Sequence, residues 1–460
     1  MGLRRIYAGR WRTFYAARLR RRRSSSSSSS IVTRPPPQQS EAPASKQRRS
    51  RPTEAPSADY LYLRPPASAA FSLSASTTKG NDATVPMDTS PSVDCTPGTR
   101  DGARTGTVNP FVLRHGRRYL HHLPYPLPCD LPELQRQNLH TFLATSVFGS
   151  TLCSPSIVKD PPSKVLDVAC GSGYWASLCD GYLKRLGRAN ASFTGVDVVP
   201  LAPDLRKQGV DWRFIQHDVQ KVPLPFEDEE FDLIFLKDLS LVLPLGPESQ
   251  RLLDECMRVL TRGGILEIWE CDHVVRSLLP HPSPSAGKRP ENQECAEATG
   301  TFLISPATPF GTARNDYLRD CNAWIQKALS KRTLSPTPCA RIAPMLLQEP
   351  DDLCDVGWRR VAIPLDDLRW DRKDGTPQNF SKPRSTESSL TEEQAALRRT
   401  ALLVVVQMIE SLEPLLKPAS GKNHEEWQRW WAWMMSDLLE HRGATNGECL
   451  EIGAWWARKV

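Results

Sequence analysis

Several absences bound what this chain can be. None of its twelve cysteines forms a C-x-x-C pair with another, and no Cys/His cluster has zinc spacing. A zinc ribbon and a thioredoxin-type redox motif are thereby excluded, no metal ligand set is expected, and a reducing compartment suits the free thiols. Long apolar runs are missing too. The longest, Ala401-Leu-Leu-Val-Val-Val-Gln-Met-Ile409, is far short of the roughly 20 residues a bilayer span takes, and no secretory h-region is present. Hydrophobic residues make up only 39%, beside 40 prolines, which points to a part that does not fold. Acids are absent before Glu41.

That last absence concentrates the charge. Residues 1–60 carry 14 Lys/Arg against 3 Asp/Glu, a net +11; the whole chain is +7, which leaves −4 for residues 61–460. The basic balance belongs to the leader, so net charge gives no support for a nucleic-acid groove in the body. Residues 1–105 are rich in Arg, Ser, Pro and Thr and are expected to be a disordered leader. Within it Leu3, Tyr7, Trp11, Phe14 and Leu19 fall near one helical face among arginines, as in a mitochondrial transit peptide; Arg20–Arg23 fits a nuclear address, and an untargeted basic tail fits both. The expected location is cytoplasmic or nuclear, with mitochondrial as the alternative.

The most informative stretch is Val165-Leu-Asp-Val-Ala-Cys-Gly-Ser-Gly-Tyr-Trp175. An apolar run ends in Asp167, Gly171 and Gly173 follow, and a helix-period face begins with Trp175, Leu178, Tyr182, Leu183 and Leu186. Glycine lets the backbone turn sharply and approach a ligand. A second strand, residues 192–197, ends in Asp197, where a βαβ unit meets ribose hydroxyls. A third, residues 212–218, ends in Asp218, and a fourth, residues 231–238, in Lys237 and Asp238. A helix with Leu252, Leu253, Cys256, Met257 and Leu260 on one face leads through Gly263-Gly264 to a fifth strand, residues 265–270, with Asp272 and His273 beyond it.

This order of elements resembles the class I S-adenosylmethionine-dependent methyltransferases, and within them a fungal group acting on small molecules. The resemblance runs from about residue 109 to the C-terminus and is most specific over residues 164–271. It implies a Rossmann-like α/β sheet of seven strands, the last antiparallel, in a domain spanning residues 106–460. It implies S-adenosyl-L-methionine as cofactor. Asp167, Ala169, Gly171 and Gly173 would lie against its methionine part, Asp197 and Val198 would hold the ribose, and Asp218 with Val219 would bracket the adenine. Lys237 joins this cofactor-binding set. Ala169 stands where the family often has glycine.

Asp238 and His273 are the candidate catalytic residues, a base being needed only if the acceptor must lose a proton. Asp238 also fits a helix N-cap, and a lone histidine is often structural. Residues 114–119 (Arg114, His115, Gly116, Arg117, Arg118, Tyr119) fit either a contact to an anion or a solvated basic turn. Asp130, Pro132 and Glu133 open a helix that should bury Leu134, Leu139, Phe142, Leu143 and Val147. Residues 280–295 read as a surface loop.

Residues 357–365 and 450–459 read as strands, and the resemblance implies that they are the closing antiparallel pair, strands six and seven, separated by a helical insertion. Capping boxes at Thr391 and Asn423 start two of its helices, the first expected to run to Leu416; residues 316–331 give a third. Together, about residues 300–350 and 366–449 form a helical cap. The tryptophans at 427–433 are either core of that cap or an aromatic wall for a flat acceptor.

The function expected is methyl transfer to a small-molecule acceptor. A nicotinamide oxidoreductase is the alternative, weakened by Ala176 where the third glycine of G-x-G-x-x-G would stand. A silent, scaffold-like relative is the other.

Overall fold

The structure is a computed structural model that describes residues 110–114, 116–244, 246–280, 291–368 and 390–460. The expected leader, His115 and residues 369–389 of the cap lie outside the described residues.

A hairpin opens the described chain: β1 (Phe111–Arg114) pairs with β2 (Arg117–Leu120). Two of its basic side chains, Arg117 and Arg118, are used internally, while Arg114 is exposed. Arg117 forms a bidentate pair with Asp130, at 2.5 and 2.8 Å, and Arg118 donates to the Cys129 carbonyl while lying over the Phe111 ring. Then come α1 (Leu131–Phe148) and the single turn α2 (Ser156–Lys159). The open α/β core follows as β3 (Lys164–Val168), α3 (Tyr174–Arg185), β4 (Ser192–Asp197), β5 (Asp211–Gln216), β6 (Phe231–Lys237), α4 (Pro247–Val259) and β7 (Leu260–Cys271).

Past it, β8 (Arg276–Leu278), α5 (Glu291–Thr299), β9 (Phe302–Leu303), β10 (Phe310–Thr312), α6 (Asp316–Ser330) and α7 (Ile342–Leu347) precede β11 (Leu353–Pro364). The insertion holds α8 (Glu392–Ser411), α9 (Glu413–Ser420) and α10 (His424–Leu439), and β12 (Glu448–Lys459) closes the fold.

The sheet has ten strands, in the order β10-β8-β12-β7-β6-β3-β4-β5, with β11 on β12 and β9 on β11. From β5 to β7 all pairings are parallel; β12 runs antiparallel between β7 and β11. The seven expected strands and the antiparallel close are therefore present. The three short strands at residues 276–278, 302–303 and 310–312 were not foreseen, because two or three residues carry no readable alternation. Of residues 280–295, read as a surface loop, 281–290 lie outside the described residues and 291–295 begin a helix that runs to Thr299. The helix expected to run from 391 to 416 breaks at Leu412, where Pro414 follows in the first turn of α9.

Strand alternation divides the core between two faces. Val165, Leu233, Phe235 and Trp269 pack with α1, α3 and the cap helices; Leu166, Ile234, Leu266 and Ile268 pack with α4 and α7. On the first face Trp175 stacks on Phe235 at 3.6 Å, and Trp269 lies edge-on to Phe235 and Phe148. Burying side chains of this size supplies roughly 1.5–3 kcal/mol each.

The opening helix departs from expectation in an informative way. Leu143 and Val147 are buried, but Phe142 is 46% exposed, while Glu133, Arg136 and His140 are buried. A polar stripe at helical spacing, 133-136-137-140, faces inward beside the apolar one. The cap tryptophans Trp427 and Trp430 are core, stacked at 5.1 Å and packed on Trp324, and Trp433 is exposed.

Candidate functional site

Strand tips and the loops after them line one cavity of about 140 Å³. At one end stand Asp167, Ala169, Gly171, Asp197, Val198, Asp218 and Val219; at the other, Lys237, Asp238, His273, Arg136 and Met408. A smaller cavity of about 20 Å³ continues past Arg136 and His273 toward α6 and α8.

The first end is a carboxylate-lined turn. The loop after β3 needs left-handed backbone at three positions: Ala169 (φ 54°), Gly171 (φ 52°) and Gly173 (φ 67°). For glycine this is free; for Ala169 it carries a cost of about 1–2 kcal/mol. Ala169 thus has the backbone a glycine would take at that place. Gly173 does not line the cavity. It stands at the N-cap of α3, where a Cβ would meet Leu205 at 3.0 Å and Ala202 at 3.2 Å, so its role is packing and turning.

Asp197 holds this loop. Its Oδ2 accepts from Gly171 N–H at 2.8 Å and its Oδ1 from Val198 N–H at 2.7 Å, leaving further lone pairs on both oxygens. Burial pushes its carboxyl up and these N–H donors oppose the rise. Asp167 is buried, and its Oδ2 has no partner among the described residues. Burial first, then the charge of Asp197, holds its carboxyl well above the usual range. Asp218, two residues past the end of β5, accepts from Gln220 N–H at 3.1 Å and sits 3.5 Å from the Lys221 ammonium.

The other end is a set of neutralised polar pairs. Asp238 has left-handed backbone (φ 55°, ψ 36°) and does not cap the turn that follows it. Its side chain instead meets the Lys237 ammonium and, at 3.1 Å, Nδ1 of His140. Burial pushes the Asp238 carboxyl up, but Lys237 and His140 bring it well below the usual range. Lys237, expected among the cofactor-binding residues, is therefore committed to Asp238. His140, Asp238 and Cys271 bring potential ligand atoms within 4.8 Å of one another. With Lys237 on that carboxylate and burial pushing the Cys271 thiol up, the cluster is a self-neutralised pair and not a cation site.

His273 is buried and lines both cavities. Its Nε2 lies 2.9 Å from Ser240 Oγ, which donates to Glu270 Oε2 at 2.8 Å. Burial lowers His273 to about 4 and raises Glu270 to about 8. Arg136, buried, makes a bidentate pair with Glu133, at 2.9 and 2.7 Å, and its Nη1 has no partner among the described residues.

Sequence reasoning missed Arg136, His140, Ser240 and Glu270. The polar stripe of α1 was the available signal for the first two. For Ser240 and Glu270 there was none, since their meeting depends on how two strand ends are placed. Among its described residues, segment 114–119 offers only Tyr119 to the core and no side chain to the cavity.

Residues 165–264 match the family model described as Methyltransferase domain. That segment holds Asp167, the glycine turn, Asp197 and Asp218. A probable phthiotriol/phenolphthiotriol dimycocerosates methyltransferase 2 from Mycobacterium ulcerans (strain Agy99) is 39% identical over 107 residues, 22% of this chain and 36% of that protein. Methyltransferase 1 of the same description and source is 37% identical over 108 residues, 22% of this chain and 35% of its own length. The chain thus spans about a third of the length of the relatives it matches. Among solved structures, Haemonchus contortus Phospholethanolamine N-methyltransferase 2, in complex with phosphomonomethylethanolamine and S-adenosylhomocysteine, has a TM-score of 0.32 at 14% identity, covering 72% of this chain and 59% of that one. The [4+2]-cyclase SpnF has a TM-score of 0.31 at 17% identity, covering 74% and 99%.

Proposed function

We propose that this chain is an S-adenosylmethionine-dependent methyltransferase acting on a small-molecule acceptor held at the His273 end of the cavity. The observation that carries this reading is the joining, in one cavity, of three strand-tip acids to a buried polar end closed by α1 and α8.

The residues at the carboxylate end fit the methyl donor. An unpartnered, buried carboxylate oxygen on Asp167 suits an ammonium group, and the left-handed loop 169–173 lets backbone come close to the amino-acid part. Asp197 keeps lone pairs for two ribose hydroxyls, and Asp218 with Val219 is placed for an adenine amino group and ring face. When bound, the donor supplies an already activated methyl group on positively charged sulfur. The chain then has to place the acceptor for in-line attack, keep water out and, where the acceptor carries a proton, remove it.

The acceptor end favours a small molecule over a polymer. Its continuation is only about 20 Å³ and lies among Leu318, Ile325, Val405 and Met408 of the cap. The net charge of −4 outside the leader agrees with this.

Titration calorimetry with S-adenosylhomocysteine and with NAD tests the donor, and transfer of labelled methyl into the low-molecular-mass fraction of a cell extract tests the acceptor class. Binding of NAD and not of S-adenosylhomocysteine would replace this reading with the oxidoreductase. Label found only in protein or nucleic acid would remove the small-molecule acceptor. Tight binding with no label in any fraction would favour a scaffold.

A further inference from the structure

Beyond the cofactor acids, His273 on the cavity wall is the outer end of a three-residue polar chain, its other members Ser240 and Glu270 lying behind the wall, that methyl-donor binding leaves unused. Ser240 N–H and Oγ–H both donate to Glu270, to Oε1 and Oε2, at 2.8 Å each. Ser240 Oγ also lies 2.9 Å from His273 Nε2, and all three residues are buried. The far ring nitrogen, Nδ1 of His273, has no partner among the described residues, and the ring lines the cavity.

A serine hydroxyl has one proton, so this chain has two hydrogen-bonded states. With Glu270 ionised, Ser240 donates to it, His273 donates from Nε2 to Ser240, and Nδ1 offers a lone pair to the cavity. With Glu270 protonated on Oε2, both side-chain bonds reverse while Ser240 N–H still donates to Oε1: Glu270 donates to Ser240 Oγ, Ser240 donates to Nε2, and Nδ1 carries the proton. The states differ by one proton gained by the chain, and neither contains an imidazolium.

We propose that Glu270, Ser240 and His273 are a proton relay that takes the acceptor's proton out of the cavity and stores it on Glu270. This rests on reading the cavity as a methyl-transfer site. In the step, the acceptor O–H bond breaks and Nδ1–H forms; the Nε2 proton passes to Ser240 Oγ, and the serine proton passes to Glu270 Oε2. The electron pair left on the acceptor oxygen is the nucleophile. His273 is the group that touches the acceptor; Ser240 and Glu270 act through it.

Burial favours this route over a simple histidine base. An imidazolium is disfavoured there, His273 being lowered to about 4, whereas Glu270 is raised to about 8, first by burial and then by Asp238. Glu270 must first lose its own proton, so the relay becomes able to accept as pH climbs through about 8, and such a store suits an acceptor whose own pKa lies near that of a phenol, about 10, far better than an aliphatic alcohol. Arg136 adds to this, because its unpartnered Nη1 suits an oxygen and opposes an ammonium. The acceptor class is therefore a phenolic or enolic hydroxyl.

Other charged groups face the relay. Arg136 and His140 come from α1, Lys237 and Asp238 from the end of β6, and Asp272 from its own strand end; α6 and α8 contribute Leu318, Ile325, Val405 and Met408, none charged. Asp272, raised to about 7, titrates close enough to need a control.

The tautomer of His273 reads the relay without any acceptor. Histidine-labelled full-length chain, with the His273 resonance identified by its loss in His273→Gln, is followed by nitrogen NMR. In the wild type Nδ1 should be protonated at low pH and bare at high pH, with the tautomer ratio changing by about tenfold or more as Glu270 ionises. Glu270→Gln donates its amide to Ser240 as the protonated acid would, so Nδ1 should stay protonated throughout; titration of Asp272 cannot mimic that result. Ser240→Ala should uncouple the tautomer from pH. A wild-type tautomer that never changes, or a Glu270→Gln chain that titrates like the wild type, overturns the relay. Wild-type titration with S-adenosylhomocysteine runs in parallel: no binding removes the methyl-transfer reading, whereas binding beside a fixed tautomer removes the relay alone. Labelled-methyl transfer to a panel of phenols, enols, amines and aliphatic alcohols tests the acceptor class, and label on amines or aliphatic alcohols alone would overturn it.

Discussion

Asp167, Asp197 and Asp218 stand at or just past the tips of β3, β4 and β5, three strands that follow one another in the chain. Across the same cavity, Arg136 comes from α1, Asp238 from the turn after β6, His273 from just past the end of β7, and Met408 from a helix inserted before the last strand. One end is built by a local motif, the other by tertiary assembly. Their electrostatics differ as well. Burial raises Asp167 and Asp197, and Asp167 keeps an unpartnered oxygen, a preparation for a cationic ligand. Opposite them, Asp238 is already paired with Lys237 and His140, and Arg136 with Glu133. The carboxylate end is poised to bind charge, and the far end to move a proton without leaving charge behind.

The sharpest way to break this comparison is Asp197→Ala. It removes a carboxylate that anchors the Gly171 and Val198 amides and is placed to meet the ligand. Charge-assisted bonds contribute about 1.5–3 kcal/mol each, so S-adenosylhomocysteine affinity should fall by about a hundredfold in calorimetry. A change below threefold would place the donor elsewhere.

Next is Gly195→Ala, inside β4. A Cβ there would meet Trp212 Cη2 at 2.1 Å, Trp212 Cζ2 at 2.6 Å and Cys170 Sγ at 2.8 Å. Trp212 is buried and Cys170 belongs to the loop after β3, so neither yields cheaply. The expected cost is about 1–3 kcal/mol or more, read from the urea midpoint, with weaker donor binding alongside. An unchanged midpoint would mean that the strand and its loop adjust freely, contrary to a rigid donor end.

A milder effect comes from pH. Protonated Asp167 is neutral and cannot pair with an ammonium. Its carboxyl is held well above the usual range, so S-adenosylhomocysteine affinity should rise as pH climbs through that raised value and level off once the group is ionised. One linked proton limits the slope to about tenfold per pH unit. Asp167→Asn should bind more weakly and lose most of the slope; an unaltered slope would assign the titration to another group.

The same local-versus-assembled contrast explains what the sequence disclosed. The strands themselves and the Thr391 and Asn423 caps follow from alternation, turn residues and capping chemistry, all short-range, whereas the antiparallel pairing expected of residues 357–365 and 450–459, seen between 353–364 and 448–459, came from the family resemblance. The three acids were legible because each ends, or lies just past, an apolar run. Glu270 and Ser240 are 30 residues apart and meet only because β6 and β7 lie side by side. His140 and Asp238 are 98 residues apart. An apolar stripe on α1 was legible and drew attention from the polar one beside it, which is the stripe that reaches the site. Lys237 and Gly173 show the limit within the motif itself: their positions were readable, but their partners, Asp238 for one and Leu205 for the other, were not.

Met408→Ala probes the smallest difference and the most specific one. Met408 lies on α8, half-buried, and lines both cavities near His273 and Arg136, with no place among the strand tips. Truncating a half-buried methionine should cost stability at or below the low end of the core range, about 2 kcal/mol. If the two ends are separate in function, S-adenosylhomocysteine affinity should stay within about twofold, because none of the groups placed to hold the donor has moved. Acceptor turnover, once an acceptor is in hand, should change in KM more than in kcat, since the substitution enlarges the acceptor space and leaves the His273–Ser240–Glu270 chain intact. A loss of donor affinity beyond tenfold would show that the inserted helix is part of the donor site, and the division of the cavity into a motif-built end and an assembled end would fall with it.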